Sequence, residues 1–147
     1  SAFLSADRPV VAERPMYFDY RESMSGGDNV MGATAPSTSW YFAEGTTRSG
    51  FEEWLTLANP NDEDAAVSIE YMLGAGQGEN VTQKLSVPAH ARATVNVNLL
   101  VGPDKDVSAF LSADRPVVAE RPMYFSYGPQ GWRGGSCGVG YAAATGP

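Results

Sequence analysis

The chain has one cysteine and one histidine in 147 residues. A single Cys forms no internal disulfide, and a single His leaves little for a histidine-based metal site. Nowhere do roughly 18 apolar residues run together, so no membrane insertion is expected. No charged-then-apolar leader is recognisable. Basic residues are few: 10 against 17 acidic ones, a net charge of -7, which argues against a nucleic-acid partner. No stretch holds a helical period. Apolar residues make up 43% of the chain and charged ones 18%, so a core can be buried. Glycine (16) and proline (10) are plentiful and supply turns.

The chain contains a copy of part of itself. Residues 1–18 and 108–125 both read SAFLSADRPVVAERPMYF. After one difference, Asp19 against Ser126, a tyrosine follows in each, Tyr20 and Tyr127. The tails then diverge, although each keeps a Gly-Gly pair, Gly26-Gly27 and Gly134-Gly135, and a small residue before Pro, Ala35-Pro36 and Gly146-Pro147. The chain therefore reads as a window of about one and a third units on a tandem array. The missing leader then says nothing about export.

The dominant period is two. Strands are expected over 40–44, 51–58, 66–73, 80–87, 91–99, 107–112 and 117–125. Over 51–58, Phe51, Glu53, Leu55 and Leu57 share a face; over 91–99, Ala93, Val95, Val97 and Leu99 do. Asn59-Pro60-Asn61-Asp62, Gly74–Gly78, Pro88-Ala89-His90, Gly102-Pro103-Asp104 and Ala113–Pro116 read as turns. Pro122 puts its stretch at a sheet edge or a bulge. About seven short strands at this spacing suggest an all-β fold, an immunoglobulin-like antiparallel β-sandwich, one per tandem repeat, with a barrel as the less favoured alternative. The expected organisation is a closing hairpin of the preceding repeat (1–20), a Gly/Ser-rich linker (21–39), the sandwich (40–127) and a Gly-rich linker toward the next repeat (128–147).

Trp40-Tyr41-Phe42-Ala43-Glu44-Gly45-Thr46-Thr47, then Phe51-Glu52-Glu53-Trp54-Leu55 with Asn59-Pro60-Asn61, resembles a bacterial tandem-repeat family of large exported surface proteins, notably of actinobacteria. Arg115–Tyr124 resembles the closing hairpin of the same unit. The resemblance covers about residues 40–127, and residues 1–20 repeat its end. The family's function is uncharacterised. The resemblance implies export and array formation, hence an extracellular or cell-surface location, and carries over no catalytic residue.

Chemistry is thinly represented. His90 lies in a turn with no partner at a nucleophile's spacing. Cys137 lies in the variable tail, where its counterpart is approximately Asn29, so it reads as an incidental thiol. Glu44, Glu52, Glu53 and Glu120 could supply paired carboxylates, but ion pairs such as Glu120 with Arg121 or Glu44 with Arg115 are the plainer reading. The oxygen clusters Asn61–Asp64 and Asp104/Asp106 follow no calcium-loop spacing. No enzyme activity, metal or cofactor is expected.

Aromatics are the more suggestive set. Trp40, Tyr41, Trp54 and Trp132 could stack on sugar rings or meet a neighbouring repeat. Phe3, Leu4, Val10, Val11, Met16 and Phe18 would form an inter-repeat hairpin, exposing apolar edges unless covered. Residues 1–20 could belong to the preceding repeat or complete the sandwich built from 40–100; the former is favoured. The resulting expectation is a structural repeat of an extracellular surface or filament protein: a stalk, adhesin or self-associating fibre whose partners are copies of itself. The alternative is a carbohydrate- or cell-wall-binding module.

Overall fold

The structure, a computed structural model, describes residues 1–142. Nine strands and one short helix follow in chain order: β1 (Glu13–Tyr20), β2 (Met24–Met31), β3 (Ser37–Phe42), β4 (Phe51–Ala58), β5 (Ala65–Leu73), β6 (Val81–Val87), β7 (Arg92–Asn96), α1 (Val97–Val101), β8 (Val107–Tyr127) and β9 (Trp132–Val139). All pairings are antiparallel. β1 and β2 form a separate hairpin, and the other seven strands form one sheet.

That sheet is organised by β8. Its first half lies between β5 and β3, with Leu111 opposite both Ile69 and Trp40. Its second half lies between β4 and β9, with Phe125 opposite both Phe51 and Gly134. The register against β3 jumps between Ser39↔Ser112 and Ser37↔Val117, so Ala113–Pro116 bulges out at a corner. β6 extends one wing beyond β5, and β7 the other beyond β4. The sheet curls into a half-barrel. Leu55, Leu57, Ile69, Tyr71, Leu111 and Val117 fill its inside.

The strand periodicity survives well. β4 occupies the expected 51–58, with Glu53, Leu55 and Leu57 buried on one face. Five expectations change. Residues 107–125 were expected to hold two strands joined by a turn; Ala113–Pro116 is instead a bend within one strand that serves both wings. Pro122 stands in an interior strand, opposite Cys137 of β9, and the ladder to β4 skips Arg121 and Pro122 because proline has no N–H to give. The strand expected over 91–99 ends at Asn96, where α1 begins. Asn96 accepts from Leu99 N–H as the cap (3.1 Å), and the helical turn throws Leu99 outward, 86% exposed. The segments read as linkers also carry strands: β2 lies within 21–39 and β9 within 128–147. In residues 1–20 only β1 is a strand, and its hairpin partner is β2. The Gly146-Pro147 end lies outside the described residues.

Two motifs gain structural reasons. Asn59 is buried: its Nδ2 donates to Val87 O (2.9 Å) and its Oδ1 accepts Asn61 N–H (2.9 Å), so the Asn-Pro-Asn turn is clamped to β6. In the 40–47 motif, Trp40 Nε1 donates to Val117 O (2.9 Å), and Thr47 Oγ1 donates to Gly102 O (2.7 Å). That motif ties β3 to β8 just past its bend, and the following loop to the end of α1. Leu111→Ala should cost about 3 kcal/mol in urea unfolding, whereas Leu99→Asn should stay within about 0.5 kcal/mol; equal effects would contradict this burial assignment.

Candidate functional site

The two copied stretches produce two matching hairpins. In β1/β2, Phe18 opposes Gly26, Tyr17 opposes Gly27 and Pro15 opposes Asn29. In β8/β9, Phe125 opposes Gly134, Tyr124 opposes Gly135 and Pro122 opposes Cys137. The Gly-Gly pair therefore holds one structural position in both copies, facing the Tyr-Phe pair. The connecting loops differ. Arg21 and Glu22 adopt positive φ (51° and 57°) in the first, while Gly128 and Gly131 take that role in the second.

The first hairpin lies face-on against the second. Arg14, Phe18 and Tyr20, one alternate face of β1, meet Glu120 and Tyr124, the outward face of β8. Tyr20 stacks on Tyr124 with ring centroids 4.7 Å apart, and Phe18 meets the same ring edge-on at 5.1 Å. The glycines permit the approach. A Cβ on Gly135 would stand 2.7 Å from the Phe18 ring, and one on Gly26 would stand 3.2 Å from the Gly134 backbone. Charged contacts frame the rings: Arg14 pairs with Glu120 (3.2 Å), Arg21 pairs with Glu52 (2.9 Å), and Tyr20 donates to Glu52 (2.9 Å). Asp28 accepts the Cys137 backbone N–H. Each exposed ion pair adds little by itself; the aromatic and glycine packing carries the contact.

Cys137 sits at the centre of this interface. Burial, and then the Glu120 carboxylate, push its thiol up to about 11, so it stays un-ionised. It is buried in the docked hairpin pair. Of the expected hairpin residues, Met16 and Phe18 are half-buried, whereas Phe3, Leu4, Val10 and Val11 stand exposed, Phe3 at 88%. Residues 1–12 form no strand.

The expected aromatic set does not come together. Trp40 is a core residue, 2% exposed, and offers no ring face to a sugar. Its neighbour Tyr41 is exposed and lies 4.8 Å from the Phe110 ring. Trp54 is on the outer face of β4, half-buried, with its indole nitrogen sealed and unpartnered. Trp132 is exposed at the tip of the second hairpin, edge-on to Tyr127 at 5.6 Å.

The carboxylates also part company. Glu44 is exposed, Glu52 and Glu120 are bound by the first hairpin, and Glu53 is buried beneath Gly45. A Cβ at Gly45 would overlap the Glu53 carboxylate, which explains the glycine of the motif. Glu120 pairs with Arg14 rather than Arg121, because adjacent strand residues face opposite ways, and Arg115 pairs with Glu63. His90 is exposed and contacts Asp62 (2.9 Å). Among the described residues, no three His, Cys, Asp or Glu side chains could hold a metal ion together.

Residues 27–119 match the model of a family of unknown function, DUF5719. The chain belongs to the DUF5719 family. The matched segment runs from within β2 to within β8, so it leaves out β1, β9 and the part of β8 after Ala119, all of which take part in the hairpin stack. In fold, the DUF5719 chain is similar to the crystal structure of Thermotoga maritima 1070: TM-score 0.64, 18% identity, 72% of this chain and 94% of that one covered. It is also similar to the Anabaena sensory rhodopsin transducer: TM-score 0.53, 26% identity, 61% of this chain and 91% of that one covered. No curated protein matches.

Two outcomes follow from this geometry. Burial, only partly offset by the Arg121 charge and a Thr46 backbone hydrogen bond, raises Glu53 from 4.5 to about 7. A raised carboxyl favours the protonated fold, so its stabilisation is complete below pH 4.5 and is lost as pH rises through 7. The span corresponds to roughly 3 kcal/mol. Glu53→Gln should flatten that part of the stability–pH profile and be the more stable chain at pH 8. In the second test, Phe18→Ala should release the first hairpin and speed Cys137 alkylation about tenfold or more, as a loss of about 1.4 kcal/mol in closure would give; an unchanged rate would mean that the hairpin does not cover the thiol.

Proposed function

We propose that this chain is a structural repeat of an extracellular bacterial surface or filament protein, working by being strung together with copies of itself. The internal copy carries the reading: residues 1–18 repeat 108–125, and the β1/β2 and β8/β9 hairpins set the same Tyr-Phe pair opposite the same Gly-Gly pair. Units that follow one another along a chain in this way are the material of a stalk or fibre. The acidic balance, -7 overall, favours solubility of a dense array. The exported tandem-repeat family described above supports the same location.

Carbohydrate binding is the second reading. The exposed rings Tyr41 and Trp132 favour it, but the burial of Trp40 removes one member of the expected platform. Glycan-array binding that disappears in Trp132→Ala would support it over the structural role.

Cell fractionation and surface protease treatment of the producing bacterium, followed with an antibody to this chain, test the main reading. The antigen should be extracellular or shaved from intact cells. Antigen confined to the cytosol would contradict it.

A further inference from the structure

We propose that the outer face of the wing built from β6, β5, β3 and the first half of β8 binds a neutral glycan chain. The strand register places the residues. Tyr141 pairs with Tyr41, Tyr41 with Phe110, Phe110 with Glu70, and Glu70 with Thr82, so these side chains form one row across the sheet. The residues that alternate with them, Trp40, Phe42, Ala109 and Leu111, are buried, which sets the row on the outside. The Tyr41 and Phe110 rings lie 4.8 Å apart and 32° from parallel, and Tyr41 and Tyr141 are 44% and 70% exposed. Neighbouring strands stand about 4.8 Å apart, so three rings in such a row span about 10 Å.

A trough of about 500 Å³ runs beside the row, lined by Ser68, Ser86, Ser112, Lys84 and Asp114 with the backbone and apolar atoms between them. Its floor is the next row on the same face: Ser112 pairs with Ser39 and with Ser68, and Ser68 with Lys84. Every one of these residues lies beyond β2, so the face owes nothing to the first hairpin.

Rings beside hydroxyls match the two kinds of surface a sugar offers. The C–H face of a pyranose packs on an aromatic ring, while its rim hydroxyls exchange hydrogen bonds with serines, an ammonium and a carboxylate. Charge selects the class of polymer. Lys84 is the one cation lining the trough, Asp114 and Glu70 stand near it, and the chain as a whole carries -7, so a polyanion is repelled and a neutral chain is not. An extended, ribbon-like glycan fits a straight row because it presents its C–H faces one after another. Cross-strand packing by itself would account for the Tyr41–Phe110 contact, but it gives no role to Tyr141 or to the trough. The inference rests on the carbohydrate-binding reading above and gives that reading a face. Trp132 is not part of it, since it pairs with Tyr127 at the tip of the second hairpin.

The test is a titration of the full chain with cellohexaose and with chitohexaose, followed by amide NMR. At least one of them should shift the amides of Tyr41, Phe110, Ser112 and Ser68 together. Tyr41→Ala and Tyr141→Ala change exposed rings and should keep dispersed spectra, yet each should weaken binding about fivefold or more, while Trp132→Ala leaves it unchanged. Binding that survives Tyr41→Ala and Tyr141→Ala but is lost in Trp132→Ala would overturn this face and leave the carbohydrate-binding reading standing. Absence of binding by either saccharide would also overturn the proposal, and the glycan array then decides the broader reading.

Discussion

The molecule depends on one strand that serves two wings. β8 is 21 residues long and supplies backbone partners to β5 and β3 along one half and to β4 and β9 along the other. Removing it would leave β5 with β6, β4 with β7, and β3 and β9 each alone, and none of these pieces encloses a core. Isolated two-stranded pieces are at best marginal in water. The long-range pairing through β8 thus converts local hairpins into a folded body, and the buried Leu111 and Val117 on either side of its bend hold the wings together.

The same sequence occurs a second time, in residues 1–18. In residues 1–18 the first twelve residues find no neighbouring strands, while the next ones turn back on β2. Propensity alone does not decide the outcome, since the residues are identical; surroundings do. In the docked hairpin, the face that β8 turns toward the core lies against the second hairpin instead. Phe18 and Tyr20 cover the Tyr124 ring and the glycine backbone of the equivalent hairpin. The glycines that weaken the strands by themselves are what let two hairpins approach closely.

Much of the body was legible in the sequence. Strict alternation located β4 to the residue and placed Val67, Ile69 and Tyr71 together inside β5. The misreadings have physical causes. Ala113–Pro116 has the composition of a turn, but a strand that changes wings must bend somewhere and uses the same residues. Leu99 continued the alternation of β7, yet Asn96 and Asn98 drew the backbone into a helical turn; Asn98 then bonds to β4 through Glu53 N–H (2.8 Å) and Phe51 O (2.9 Å). β2 and β9 were invisible because glycine and serine carry no apolar period. Trp40 could not be sorted from the exposed aromatics, since its burial depends on Val117, 77 positions away. The Gly-Gly pairs were noticed as shared features, but their opposed packing needed coordinates.

At the centre of this account is one sequence in two surroundings, paired into the sheet at 108–119 and exposed at 1–12. Amide hydrogen exchange resolved by NMR measures both in a single sample. Leu111 and Val118 should exchange with protection near that of global unfolding, while their twins Leu4 and Val11 exchange close to unstructured-peptide rates. Comparable protection in the two copies, or protection of 1–12 with 108–119 exposed, would contradict it.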